Sequence, residues 1–125
     1  YSIMSHKIFA KIDENNVVVQ VETLADESIT TEAQGQAFLH NLYKDSATWI
    51  ETFTDGTRGN FAGVDLSWDP VNNVFLQIKP FDSWVLNTTT WKWDSPIPRP
   101  ANIEGYIWVW NEEAQQWEKG IEQQR

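Results

Sequence analysis

Four times along this chain a bulky apolar residue is followed at once by Asp or Asn, a few polar residues, and a second bulky apolar residue. The instances are Ile12-Asp13…Val17, Trp68-Asp69…Val74, Leu86-Asn87…Trp91 and Trp110-Asn111…Trp117. An Asx side chain at the end of a strand bonds the backbone ahead of it and starts a turn. The bulky flanking residues can then face each other across the resulting hairpin. The intervals between instances are irregular, so the pattern is a repeated hairpin style and not a solenoid or propeller period. Convergence on good turn chemistry explains it as well as duplication does.

The rest of the chain fits around these hairpins. Residues 8–23 read as an N-terminal hairpin, with an alternating strand to Ile12, turn chemistry at Asp13-Glu14-Asn15-Asn16 and a β-branched run from Val17. Residues 24–30 interrupt it. Thr31-x-x-Gln34 fits a capping box, in which hydroxyl and amide satisfy free backbone donors at a helix start. Ala33, Ala37, Phe38, Leu42 and Tyr43 then recur at helical spacing and predict one helix over residues 31–43. Gly35 weakens it slightly. Residues 47–54 alternate as a strand, and 55–60 read as a loop.

Residues 61–117 form an aromatic hairpin region, interrupted by a Pro-rich link at 95–100, and 118–125 read as a polar tail. Prolines at 96, 98 and 100 fix an extended segment without ladder donors. That segment is either a rigid connector or an arm lying across a neighbouring subunit. The expected class is α+β and β-dominated: antiparallel hairpins in a twisted sheet or small sandwich, one short helix, and a single domain over 1–125. Tyr1 is not an initiator, which suggests a processed or re-registered start, with Met4 as a candidate first residue.

Composition narrows function. Eighteen Asp and Glu against nine Lys and Arg give a formal charge of −9, and the basic residues are scattered. Nucleic-acid binding needs clustered Lys and Arg, so no nucleic-acid partner is expected. No apolar run is long enough to span a bilayer, so no membrane partner is expected. The absence of cysteine removes disulfides, Cys-based zinc sites and thiol nucleophiles.

Eight tryptophans in 125 residues are the compositional oddity. All but Trp49 fall in the hairpin region: Trp68, Trp84, Trp91, Trp93, Trp108, Trp110 and Trp117. Trp91 with Trp93, and Trp108 with Trp110, are two apart, so in a strand each pair projects onto one face. Three uses compete: a buried aromatic core, anchors of a protein–protein surface, and a platform of flat indoles for sugar rings. The number of indoles left exposed in a free monomer separates them.

No catalytic constellation stands out. The two histidines, His6 and His40, lack metal-ligand spacing and a nucleophile partner. His40 falls on the solvent side or rim of the predicted helix. The stretch Gly56-x-x-Gly59-Asn60-Phe61-Ala62-Gly63 lacks the Lys-Ser/Thr of a phosphate loop. Asp13-Glu14 and Glu112-Glu113 are acidic tips without calcium-loop spacing. Glu51 and Asp55 could form a carboxylate pair, though any acidic domain offers one. No enzyme activity, cofactor or metal is expected.

Between Arg58 and Trp117 a longer order of motifs emerges. Arg58-Gly59-Asn60-Phe61-Ala62-Gly63-Val64 leads into Leu66-Ser67-Trp68-Asp69, then Phe75, Lys79-Pro80-Phe81 and Ser83-Trp84-Val85-Leu86-Asn87. Trp91-Lys92-Trp93, the three prolines, Tyr106-Ile107-Trp108, Trp110-Asn111 and Trp117 complete it. With Phe9-Ala10-Lys11-Ile12-Asp13-Glu14-Asn15-Asn16-Val17-Val18 at the N-terminus, this resembles a family of small tryptophan-rich proteins of tailed bacteriophages, especially those of cyanobacteria and other marine hosts. The chain departs from that pattern at residues 24–55, and at Phe81-Asp82, where the family usually has Tyr-Pro. The resemblance implies a non-enzymatic protein of the virion or its assembly and transfers no catalytic residue. The expected function is a capsid decoration or cement protein, partnered by the major capsid protein or another virion protein. It would form a homo-oligomer, with a trimer favoured, located in the virion after assembly in the host cytoplasm. A neck, tail or fibre adaptor and a carbohydrate-binding module on the tail are the alternatives.

Overall fold

A computed structural model describes residues 6–121. Tyr1, Met4 and the last four residues of the expected tail lie outside them. The fold is β-dominated and antiparallel with one helix, as the sequence pattern predicts. The hairpins stay separate, as one three-stranded sheet and three two-stranded ones. Where the sequence suggested one continuous domain, the chain divides into two compact units, Tyr1–Ile78 and Lys79–Arg125. The boundary cuts the aromatic region, leaving Trp68 in the first unit and the other six of its tryptophans in the second.

In the first unit, strands β1 (Lys7–Ile12), β2 (Val18–Leu24) and β3 (Thr48–Thr52) form a sheet with β1 in the centre. Alternation along β1 sends Phe9 to one face and Ala10 and Ile12 to the other, and all three are buried. On the first face Phe9 packs with Leu24, Ile29, Leu39 and Trp49. Leu39 lies on α1 (Glu32–Tyr43). On the second face Ala10, Ile12 and Val18 pack with Ala62, Trp68 and Phe75. The last two pair across the hairpin of β4 (Ser67–Asp69) and β5 (Val74–Leu76). Helix, sheet and hairpin therefore form three layers. The hairpin is stitched to the start of β2 by backbone bonds from Val18 N to Leu66 O (2.8 Å) and from Trp68 N to Asn16 O (2.7 Å).

The capping box forms as the sequence predicts. Gln34 N donates to Thr31 Oγ1 (3.1 Å), and Gln34 Oε1 accepts from Thr31 N (3.1 Å). The residues that α1 buries are not the ones whose spacing marks it as a helix. Gly35 and Leu39 are buried, whereas Ala33, Ala37, Phe38, Leu42 and Tyr43 are exposed. The cause is Phe9, whose ring lies where a Gly35 side chain would be: a Cβ built on Gly35 would meet Phe9 Cζ at 2.2 Å. The glycine is a packing requirement, and it rotates the helix so that its smallest surface meets the sheet's largest side chain. Tyr43 covers Trp49 from the edge in a stacked arrangement, ring centroids 5.8 Å apart, and its hydroxyl donates to Glu22.

Arg58 ties the layers together. Its guanidinium makes a two-pronged bond to Glu32 at the helix start (2.6 and 3.0 Å) and donates to Glu51 O in β3 (2.8 Å). It also lies 5.6 Å from the centre of the Trp68 ring. Glu32 in turn accepts from Glu51 N at 2.8 Å. A planar fork of this kind carries more energy and direction than a point charge.

Two outcomes follow. Gly35→Ala should destabilise the protein by about 2 kcal/mol in chemical denaturation, because overpacking a rigid ring costs about 1–3 kcal/mol and outweighs alanine's helix preference of about 1 kcal/mol; equal or greater stability would contradict the Phe9 contact. The Arg58 hydrogen bonds hold the Glu32 carboxyl below its usual range. A carboxyl depressed in the folded state stabilises the fold fully above its unfolded value and loses that contribution as pH falls through the folded one. Stability of the wild type should therefore drop on acidification below the ordinary glutamate range. In Arg58→Met this part of the pH dependence should be flattened, as read from denaturation midpoints across an acid series.

Candidate functional site

The repeated hairpin motif resolves into a specific loop. In three instances an Asx residue ends the first strand, and the fourth residue after it is left-handed: Asn73 after Asp69 (φ 59°), Trp91 after Asn87 (φ 59°) and Gln115 after Asn111 (φ 50°). The Asx Oδ1 accepts from backbone N–H groups inside the loop: Val71 and Asn72 on Asp69, Thr89 and Thr90 on Asn87, and Ala114 on Asn111. Asp13 does the same in a loop one residue shorter, with Asn16 left-handed at φ 61°. Asparagine tolerates this conformation, whereas Trp91 and Gln115 adopt it at a cost of about 1–2 kcal/mol each.

The left-handed residue shifts the pairing away from the expected partners. Trp68 faces Phe75, not Val74, Leu86 faces Trp93, not Trp91, and Ile12 faces Val18, not Val17. Trp110 and Trp117 oppose each other as predicted. Trp91 is a turn residue, so Trp91 and Trp93 do not form the expected row on one strand. Trp108 and Trp110 do, on one face of β8.

The second unit consists of two hairpins, β6 (Val85–Asn87) with β7 (Lys92–Asp94) and β8 (Tyr106–Asn111) with β9 (Gln116–Ile121). Strand β9 extends into the segment expected to be a polar tail. Trp84, Trp110 and Trp117 form a mutual cluster, with ring centroids 5.3–6.0 Å apart and planes inclined by 57–83°. Phe81 joins at 5.6 Å from Trp84. Glu112 clamps this cluster, accepting from Ser83 N (2.9 Å), Ser83 Oγ (2.6 Å) and Trp110 Nε1 (2.8 Å). These donors, Ser83 first, hold its carboxyl below the usual range.

The Pro-rich link lies against the hairpins. A segment with three prolines offers carbonyls but few donors, and an indole offers a donor and no acceptor. The two match: Trp117 Nε1 donates to Ile97 O (2.8 Å) and Trp108 Nε1 to Ala101 O (3.1 Å). Ser95 Oγ also donates to Ile97 O (2.6 Å). Between link and indoles is a pocket of about 420 Å³ walled by Trp84, Trp93 and Trp117, with Ser95, Pro98 and Arg99 from the link and Asp94 from β7.

The indoles divide by burial. Trp49, Trp68 and Trp110 are buried, and Trp84, Trp91, Trp93, Trp108 and Trp117 are half-buried. The exposed large apolar side chains of the second unit are mostly aliphatic: Val85, Ile97, Ile103, Ile107, Val109 and Ile121, with Tyr106 beside them. Sequence reasoning centred on tryptophan passed over Ile107 and Val109, although their alternation with Trp108 and Trp110 marks the opposite face of that strand.

The remaining candidate groups serve the fold. His40 is exposed, as expected, and its Nε2 lies 2.6 Å from Ala47 O. Glu51 pairs with Lys7 at 3.2 Å, and Asp55 accepts from Thr57 N at 2.9 Å. Gly56 and Gly59 take left-handed turn conformations. Among the described residues no group of His, Asp and Glu is placed to hold a metal, and no helix is long and apolar enough to cross a membrane. No family model, curated protein or solved structure matches the chain.

Replacing Glu112 by Ala should release Ser83 and the Trp110 indole together. The near-ultraviolet circular dichroism of the coupled indoles should weaken and the melting temperature should fall, while the Ser83→Ala change alone should have the smaller effect. Unchanged indole signals in Glu112→Ala would show that Glu112 does not hold the cluster.

Proposed function

We propose that this chain is a non-enzymatic structural protein of a bacteriophage particle, binding the capsid shell by protein–protein contact as a decoration or cement protein. The motif order from Arg58 to Trp117 supplies the context. The observation that carries the contact role is the outward face of the β8–β9 hairpin. Ile107 and Val109 are 43% and 51% exposed, while Trp108 and Trp110 on the other face are engaged by the link and by Glu112. Opposite Ile107 stands Gly120, so no cross-strand side chain shields it. A two-residue aliphatic ridge on a hairpin braced from behind is the kind of surface that a partner covers.

Repetition makes a small surface sufficient. A shell presents the same site at every symmetry position, and copies clustered there, as trimers in this proposal, act together so that each needs only modest affinity. Added buried area between neighbouring shell subunits then resists expansion and disassembly. The acidic surface keeps free copies soluble before assembly.

The experiment uses purified particles of a phage encoding this chain, stripped of it and supplied with recombinant protein. Wild type should rebind the shell and raise the temperature at which the particle loses its genome. An Ile107→Asp, Val109→Asp double variant should keep its melting temperature yet bind about tenfold or more weakly, the loss expected for a central interface anchor. Label at the neck or tail in a virion reconstruction would reassign the protein to an adaptor, and full particle stability without it would end the cement role.

A further inference from the structure

The pocket of the second unit is separate from the Ile107–Val109 ridge, and its chemistry differs. We propose that it binds a saccharide carrying a carboxylate, with the sugar ring against the indoles and the carboxylate on Arg99. The walls are Trp84, Trp93 and Trp117. The face of an indole carries the negative lobe of its quadrupole, and it attracts the polarised C–H groups that cover one face of a pyranose. A volume of about 420 Å³ lies toward the small end of ligand pockets, which run from about 300 to 1,000 Å³.

Arg99 sets the charge of the ligand. The chain has twice as many acidic as basic residues, and Lys7, Lys11 and Arg58 are paired with carboxylates. Arg99 has no ion pair or hydrogen bond among the described residues, although it lines this pocket. A guanidinium left with its five donors is suited to a two-pronged bond with a carboxylate. Asp94 would repel a simple anion. Its Oδ2 accepts from Asn87 Nδ2 (2.9 Å), and a carboxylate has acceptor capacity for a sugar hydroxyl as well, which favours a ligand with hydroxyls as well as a carboxylate.

The pocket is preorganised, so a ligand need not order it. Prolines fix the link backbone, and Ile97 O is held from both sides by Trp117 and Ser95. A rigid wall lowers the entropic cost of binding. Lys79 lies 5.4 Å from the centre of the Trp93 ring and adds a second positive group to the surroundings of that indole.

The test is a titration of the full chain with glucuronic acid, N-acetylneuraminic acid, glucose and a short peptide with a free carboxyl terminus. It is read by the indole N–H signals in nuclear magnetic resonance. Signals of Trp84, Trp93 and Trp117 should shift with the acidic sugars at a Kd of about 1 mM, while Trp49 and Trp68, buried in the other unit, stay still. Arg99→Gln, an exposed and conservative change, should weaken acidic sugars by about tenfold and leave glucose unaffected. Trp93→Phe should weaken both. No shift with any sugar overturns the proposal, and equal response to glucose overturns the role of Arg99. A stronger response to the peptide assigns the pocket to a protein terminus. None of these outcomes bears on the Ile107–Val109 surface, so the two readings fail separately.

Discussion

A strand of three residues does not hold itself in a sheet, and four of the nine strands among the described residues are that short. Two-stranded hairpins in water are marginal even when longer. The structure answers this at the loops: an Asx side chain bonds the backbone of its own turn, and a left-handed residue aims the second strand back. Closing each hairpin locally removes most of the entropy that long-range pairing would otherwise cost. Only then do single cross-strand pairs such as Trp68 with Phe75, or Trp110 with Trp117, suffice to fix the register. The aromatic content follows from the short ladders, since few positions must each bury a large area.

The two units secure their closed hairpins differently. In the first, the hairpin of β4 and β5 lies over a three-stranded sheet, and a charged fork from Arg58 reaches the helix on the other side. Burial on both faces of β1 supplies the core. Among its described residues the second unit has only two-stranded sheets. Its hairpins hold each other through an indole cluster, and polar groups around that cluster are matched by need: Glu112 collects three donors, and the carbonyls of a proline-rich segment receive two indole N–H groups. The segment's lack of donors, which bars it from any ladder, is what suits it to cover tryptophan.

Much of this was legible in the sequence because it depends on near neighbours. The capping box of Thr31 and Gln34, the Asx turns and the N-terminal hairpin each involve residues within a few positions of each other. The orientation of α1 was not legible, because it is set by the contact of Gly35 with Phe9, twenty-six residues away. By propensity alone Gly35 is a mild defect. Its role appears only when the ring beneath it is seen. Pairing across the loops was offset for a related reason: a left-handed residue adds a position without changing composition, and Trp91 gives no sign that it will adopt that conformation. The division near residue 78 also escaped, since the hairpin style continues across it while the tertiary partners change.

What folding leaves over is the better guide to function here than what it uses. Seven of the tryptophans were candidates for core or contact surface because they are large and grouped, and the buried or mutually packed ones already have partners. Trp108 and Trp117 spend their N–H groups on the link, and Trp110 spends its own on Glu112. The same strand that commits Trp108 and Trp110 inward turns Ile107 and Val109 outward by simple alternation, and those side chains stay exposed. Arg99 is left over in the complementary sense, a cation without a counterion among the described residues of an acidic protein. An aliphatic ridge favours a surface that excludes water, and a guanidinium beside indoles favours a ligand with a charge and an apolar face. Both arise because the hairpins satisfy themselves so locally that neither group is drawn into the fold.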